Sequence, residues 1–183
     1  MSGDIEDFRG LLAKVGNGEP LGIDEAERAF DIMTSGDATP AQMGAFLMGL
    51  KVRGETAEEL AGGARALRAK VLRVRAPEGA IDIVGTGGDH HGTYNVSSCS
   101  AFVVAGAGVP VAKHGNRAFT SKSGAADVLS ALGIGLEVPI EALEKALVEA
   151  NVCFLMAPRH HSAMRNVAGP RVELAPNRTI YCL

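Results

Sequence analysis

Ile81-Asp82-Ile83-Val84-Gly85-Thr86-Gly87-Gly88-Asp89-His90-His91-Gly92-Thr93-Tyr94-Asn95-Val96-Ser97-Ser98 sets a β-branched apolar run directly against a loop with four glycines. Residues 81–84 read as a strand, the loop carries Gly85, Gly87, Gly88 and Gly92, and residues 97–108 read as a helix. Glycines let a backbone approach a ligand closely, and the free N–H groups of a loop and helix start turn partial positive charge toward an anion. A phosphate is the natural occupant; a tight turn without a ligand is the plainer reading of such a loop taken alone. The spacing is neither Gly-x-Gly-x-x-Gly nor the Walker pattern, so it speaks against a dinucleotide fold and against an ATPase.

Downstream, strand-like runs at 109–112 and 152–156 alternate with helical segments at 124–132 and 139–150. With 81–84 and 97–108 this is βαβα patterning, which predicts a parallel α/β sheet. Ser123 is placed to cap the 124–132 helix, and Gly133 sits where a left-handed stop belongs. A helical piece over 162–174 is interrupted by Gly169-Pro170, and residues 178–183 form an apolar run with no terminating signal. Three or four strand candidates ending on a fresh apolar element suggest an incomplete sheet and a truncated chain.

Upstream the pattern is helical. Ile5, Phe8, Leu11, Leu12 and Val15 recur at helical spacing, as do Ile23, Ala26, Phe30 and Met33. Thr39-Pro40-Ala41-Gln42 and Thr56-Ala57-Glu58-Glu59 are capping boxes ahead of two further helices, the last running to Val71. Gly62-Gly63 inside that last helix costs propensity and marks close packing against another helix or chain. The expected fold class is therefore α/β: a helical domain over 1–72 that serves as a dimer interface, a linker over 73–79, and a mostly parallel α/β domain over 80–183, incomplete at its C-terminal end. The 162–175 segment is expected to pack near the helical domain.

The chain has 183 residues, and its 18 Lys+Arg against 21 Asp+Glu give a formal charge of −3, which argues against nucleic acid or an anionic membrane as the main partner. No apolar stretch reaches the ~20 residues of a membrane span. The acidic N-terminus lacks a signal-peptide pattern, so the expected location is cytoplasmic. Cys99, Cys153 and Cys182, odd in number and in apolar contexts, read as reduced core thiols. The pairs His90-His91 and His160-His161 lack partners at metal-ligand spacing, and no Gly-x-Ser-x-Gly elbow supports a triad.

No acidic residue stands between Asp89 and Asp127, whereas Lys113, Arg117, Lys122, His90, His91 and His114 do. In an acidic chain that asymmetry predicts a positive pocket beside the glycine loop. Lys113-His114-Gly115-Asn116-Arg117 follows a strand, where open α/β sheets place ligand groups. Ser97 and Ser98 can cap a helix or hold a Mg²⁺ ion on a polyphosphate.

Five motifs in fixed order, Gly85-Thr-Gly-Gly-Asp89, Asn95-Val-Ser-Ser98, Lys113-His-Gly-Asn-Arg117, Ser121-Lys-Ser-Gly124 and His161-Ser-Ala-Met164, follow four short helices. Together they resemble the anthranilate phosphoribosyltransferase family over essentially the whole chain. The resemblance implies transfer of a phosphoribosyl group from phosphoribosyl pyrophosphate to the amine of anthranilate, with Mg²⁺, in tryptophan biosynthesis, by a homodimer. It implies that Gly85, Gly88, Asp89, Thr93, Asn95, Val96, Ser97 and Ser98 cradle pyrophosphate and ribose, with Ser97 on one Mg²⁺. Lys113, His114, Gly115, Asn116, Arg117, Ala118, Phe119, Thr120, Ser121 and Ala125 complete that side. Gly85, Asn116, His114, His161 and Arg171 line the anthranilate pocket, Arg171 through the carboxylate.

No general base is implied, because an arylamine is already a neutral nucleophile. His90 stands where the family has a glycine, Ser162 where it has a proline, and Ala125 where it has a serine. The family's Asp-Glu pair for a second Mg²⁺ is expected beyond Leu183, so this chain by itself is expected not to turn over. The alternatives are a nucleoside-phosphorylase-like enzyme, whose Lys-His-Ser-Thr-Gly-Gly pattern is missing here, and a non-catalytic fragment that dimerises and binds a phosphorylated ligand.

Overall fold

The computed structural model describes residues 2–85, 94–117 and 124–174. The chain divides into two compact units, Met1–Val71 with His161–Leu183, and Leu72–His160.

The first unit is helical: α1 (Ser2–Gly16), α2 (Ile23–Ser35), α3 (Pro40–Arg53) and α4 (Ala57–Ala69) lead it. Phe8, Phe30 and Phe46 meet in its core, with ring centroids 5.5 Å apart for Phe8 and Phe46 and 6.1 Å for Phe30 and Phe46. Each fully buried ring of this kind is worth about 1.5–3 kcal/mol of transfer free energy. Both expected capping boxes form: Thr39 and Gln42 exchange bonds of 2.9 and 3.3 Å, Thr56 and Glu59 bonds of 2.9 and 3.2 Å. Glu59 is 1% exposed, and the same carboxylate accepts from the Leu21 N–H at 2.9 Å and pairs with Arg53 at 2.5 Å. A buried carboxylate is tolerated only when so fully bonded.

Gly62 lets α4 lie against α2, since a Cβ there would meet the Ile23 carbonyl oxygen at 2.4 Å and the Ala26 Cβ at 2.7 Å. The helix stops at Ala69, two residues short of expectation, and Lys70 turns back to cap α2 instead. Its ammonium donates to the Asp31 carbonyl at 2.9 Å and to the Thr34 hydroxyl at 2.8 Å, a cation at a helix C-terminus. A 3-10 turn (Ser162–Val167) and a short helix, called α9 below, at Ala168–Glu173 belong to this unit. Val167 is buried in its core, and the Asn166 amide donates to the Thr34 carbonyl at 2.6 Å. The break expected at Gly169-Pro170 falls earlier, at Val167. Pro170 sits in the first turn of α9, where a missing N–H costs nothing.

The second unit is α/β: α5 (Val96–Gly106), β1 (Val111–Gly115), α6 (Ala125–Ala131), α7 (Ile140–Ala150), β2 (Val152–Met156) and α8 (Ala157–His160). β1 and β2 pair in parallel, from Val111 opposite Val152 to Gly115 opposite Met156. Side chains alternate across the sheet. Val111 and Val152 pack with Ala101 and Ala105 of α5, and Phe154 and Met156 with Ala126 and Leu129 of α6. Ala112, Cys153 and Leu155 face Leu143 and Leu147 of α7 on the other side. Gly124, with its N–H on the Asp127 carboxylate at 2.8 Å, is the N-cap of α6 in place of the expected Ser123, which lies outside the described residues. Gly133 holds the left-handed φ of +82° expected of it.

Two strand expectations need correction. The second strand starts at Val111 and not at 109, because Gly108 takes a φ of +96° and Pro110 has no N–H for a ladder. The 81–84 run shrinks to one bridge, Ile81 with Val111, made by Ile81 N–H to the Pro110 carbonyl and Ala112 N–H to the Ile81 carbonyl, both 2.9 Å. One residue on, side chains take over the ladder. The His114 N–H goes to the Asp82 carboxylate at 3.0 Å, and the Ile83 carbonyl accepts from the Lys113 ammonium at 2.7 Å.

Candidate functional site

α5 starts within the second unit with Asn95 as its N-cap residue, and among the described residues no side chain caps its first N–H groups. The Asn95 amide oxygen instead accepts from the Ser98 hydroxyl at 3.0 Å. The first turn holds no acidic residue. An eleven-residue helix thus presents a positive N-terminal end that its own sequence leaves unneutralised.

Lys113 completes the charge. It leaves β1 on the face that α5 covers, is 3% exposed, and places its ammonium 2.7 Å from the Ile83 carbonyl and 3.4 Å from the Ser97 hydroxyl. Burial holds this amine below its ordinary value of 10.5, and the Asp82 carboxylate opposes that loss. Gly115, the last residue of β1, has no room for a side chain, since a Cβ there would sit 2.7 Å from the Phe154 ring. Ser97, Lys113 and the Ile83 carbonyl therefore converge beside β1, with Asn95 and Ser98 bonded to each other in the same first turn of α5, and a parallel sheet offers groups to a ligand beyond its strand ends.

Other expected members lie apart from this group. His114, next along β1, shares the opposite face with Ala112, and burial holds its imidazole below the ordinary 6.5. Arg117 is exposed and pairs with Asp127 at 3.4 Å. Acids from outside the acid-free window thus reach into it: Asp127, at its C-terminal margin, meets Arg117, and Asp82, upstream of the window, meets the His114 N–H. A long acid-free run in sequence says nothing of which carboxylates fold back onto it. Asn116 stays local, with its side-chain oxygen accepting from the Arg117 N–H at 2.8 Å and its carbonyl from the Ala126 N–H at 3.2 Å. Ala125, the first residue of α6, lies against the Gly115 position.

His161 and Arg171 belong to the first unit. Arg171 lines a cavity of ≈ 20 Å³ with Phe30, Met33 and Met164, room for one water and not for a ring. Gly88, Asp89, Thr93, Ala118, Phe119, Thr120 and Ser121 lie outside the described residues. Cys99 is exposed and not a core thiol, because it falls on the outer side of α5. Cys153 is buried, and burial pushes its thiol up to about 11. Among the described residues no three or more His, Cys, Asp or Glu side chains converge to hold a metal, and no helix is long and apolar enough to cross a membrane.

Sequence reasoning missed two residues. Asp82 lies inside the 81–84 run with no role of its own in the sequence, and nothing in its local pattern separates a ladder-breaking carboxylate from a solvated one. His160, paired in sequence with His161, is 3% exposed at the end of α8 with Nδ1 2.6 Å from the Leu72 carbonyl.

Comparison with known proteins matches residues 9–71 to the helical bundle domain and residues 77–183 to the a/b domain of a glycosyl transferase family. An anthranilate phosphoribosyltransferase of Brucella suis is 58% identical over 179 residues, 98% of this chain and 52% of that protein. The crystal structure of anthranilate phosphoribosyltransferase from Thermus thermophilus superposes with a TM-score of 0.87 at 41% identity, covering 93% of this chain and 52% of its own. The enzyme from Saccharomyces cerevisiae in complex with PRPP and Mg does so with a TM-score of 0.84 at 29% identity, covering 96% and 53%. The chain spans about half the length of the curated relatives it matches.

Proposed function

The chain belongs to this glycosyl transferase family, in its helical bundle domain and its a/b domain alike, and on that premise we propose that it carries the phosphoribosyl-binding part of an anthranilate phosphoribosyltransferase acting in the cytoplasm in tryptophan biosynthesis. The reaction breaks the bond from ribose C1 to the pyrophosphate oxygen, whose electron pair leaves with pyrophosphate. The anthranilate nitrogen forms the new bond to C1 and then gives its proton to solvent. The amine needs no strong base, so what speeds the step is placement of the two reactants and stabilisation of the departing pyrophosphate.

The observation that carries this reading is the buried Lys113 ammonium set 3.4 Å from the Ser97 hydroxyl at a helix start without a side-chain cap. The backbone N–H groups of Ser97 and Ser98 and the Lys113 charge take the pyrophosphate oxygens, the Val96 N–H being held by the Tyr94 carbonyl at 2.7 Å, with Gly85, Gly88, Asp89, Thr93 and Asn95 assigned to the same ligand. Lys113 is held ready by the Ile83 carbonyl and needs no reorganisation when charge develops. The donor set fits a substrate-borne ion: Ser97 offers one hydroxyl oxygen, and Mg²⁺ is commonly held by few protein oxygens plus phosphates and waters. Bound there, Mg²⁺ would neutralise pyrophosphate charge, with Ser97 as its protein ligand. Residues 115–121 with Ala125 are assigned to phosphate and ribose, and Gly85, His114 and Asn116 to anthranilate.

A second copy is the proposed partner. The exposed positions of α3 after its first residue, Pro40, namely Ala41, Ala45, Met48 and Val52, are all apolar. Their 4-3-4 spacing makes the narrow seam with which one helix packs along another.

Calorimetry of the 183-residue chain with phosphoribosyl pyrophosphate and Mg²⁺ tests the reading. Lys113→Met keeps the buried stem and removes the charge. Losing a charged hydrogen bond of about 1.5–3 kcal/mol should weaken binding at least about tenfold. Unchanged affinity in that variant would refute the assignment.

A further inference from the structure

We propose that Asp82 is a positioning residue that breaks the β ladder so that the Ile83 carbonyl is free to hold Lys113 at the anion site. The parallel bridge at Ile81 and Val111 fixes the register: Ile81 N–H donates to Pro110, and Ala112 N–H donates to Ile81. In a parallel ladder the next donor on β1 two residues along, His114 N–H, is due at the Ile83 carbonyl. It goes to the Asp82 carboxylate at 3.0 Å instead. The Ile83 carbonyl then accepts from the Lys113 ammonium at 2.7 Å, and that ammonium stands 3.4 Å from Ser97.

One carboxylate therefore does two things. It satisfies an N–H that would otherwise zip residues 82–84 onto β1, and it releases a carbonyl that orients a buried cation. Without Asp82 the cheapest way to satisfy the His114 N–H is to complete the ladder, and the Ile83 carbonyl becomes shared. Lys113 loses its strongest fixed partner. The carboxylate also helps to keep Lys113 charged against its burial. The part of the inference that concerns phosphoribosyl pyrophosphate rests on the function proposed above; the part that concerns the ladder does not.

Through-hydrogen-bond scalar couplings on the isotope-labelled full chain read the ladder directly. The expected result is a coupling from the His114 N–H to the Asp82 carboxyl carbon in the parent, and one from His114 to the Ile83 carbonyl carbon in Asp82→Ala. Calorimetry with phosphoribosyl pyrophosphate and Mg²⁺ reads the consequence. Asp82→Ala should weaken binding at least about tenfold, whereas Asp82→Asn, which keeps an acceptor oxygen, should stay within about threefold of the parent.

A His114–Ile83 coupling in the parent overturns the inference. So does full affinity in Asp82→Ala, or an Asp82→Asn variant as weak as Asp82→Ala. Should Asp82→Ala fail to fold, the parent coupling and the Asp82→Asn affinity still decide it. A parent that shows the Asp82 coupling and binds no phosphoribosyl pyrophosphate refutes the functional reading and leaves the ladder claim standing.

Discussion

Consecutive residues of β1 receive opposite environments. Lys113 points toward α5 and the Ser97 hydroxyl, and His114 toward the α7 side of the sheet, although the sequence joins them in one basic motif. The alternation of a strand separates them, and it operates whatever the local charge. Burial holds the His114 imidazole below 6.5, which makes a pH prediction with a definite sign. Between that lowered value and 6.5 the unfolded chain binds more protons than the folded one, so stability falls as pH drops through the window. Urea unfolding of the second unit should therefore weaken between pH 7 and pH 5 more in the parent than in His114→Asn. Equal weakening in both would remove His114 from the account. Lys113 and Ser97 were legible as candidates, because a cation after a strand stands where parallel sheets place ligand groups and a hydroxyl at a helix start can either cap it or hold an ion. Asp82 was not, because its effect depends on a register that no local pattern reveals.

Elements with their own punctuation were the most legible. α3 and α4 open on Thr39 and Thr56 with Gln42 and Glu59 closing the boxes, and the structure puts them where those residues say. The 81–84 run failed as a strand for the opposite reason: its propensity is real, but two side chains compete for its ladder. The apolar seam of α3 was partly hidden, since Ala41, Ala45, Met48 and Val52 look like core when period alone is read. Here they are exposed while Met43, Phe46, Leu47 and Leu50 fill the core. That face carries the dimer proposal. Val52, 81% exposed, can take a charge without touching the core. The parent should sediment as a dimer and Val52→Lys as a folded monomer with the same helical circular dichroism. A parent that sediments as a monomer, or a Val52→Lys variant that remains a dimer, contradicts the proposal.

At the scale of the whole molecule, the helical unit and the α/β unit follow from two different periodicities in one chain, near 3.6 in the first 70 residues and alternating strand and helix after them. Period and capping residues locate both. The 162–175 segment is expected near the helical domain, and residues 161–174 belong to that unit, where Val167 and Asn166 meet partners more than a hundred positions away. The central claim is that the start of α5, with Lys113 beside it, receives the pyrophosphate of phosphoribosyl pyrophosphate. An amide chemical-shift map of the full chain titrated with phosphoribosyl pyrophosphate and Mg²⁺ tests it most directly. The account predicts saturable shifts centred on the N–H groups of Ser97 and Ser98 and on Lys113, lost in Lys113→Met. Shifts that leave Ser97 and Ser98 unmoved, or that persist unchanged in Lys113→Met, would contradict it.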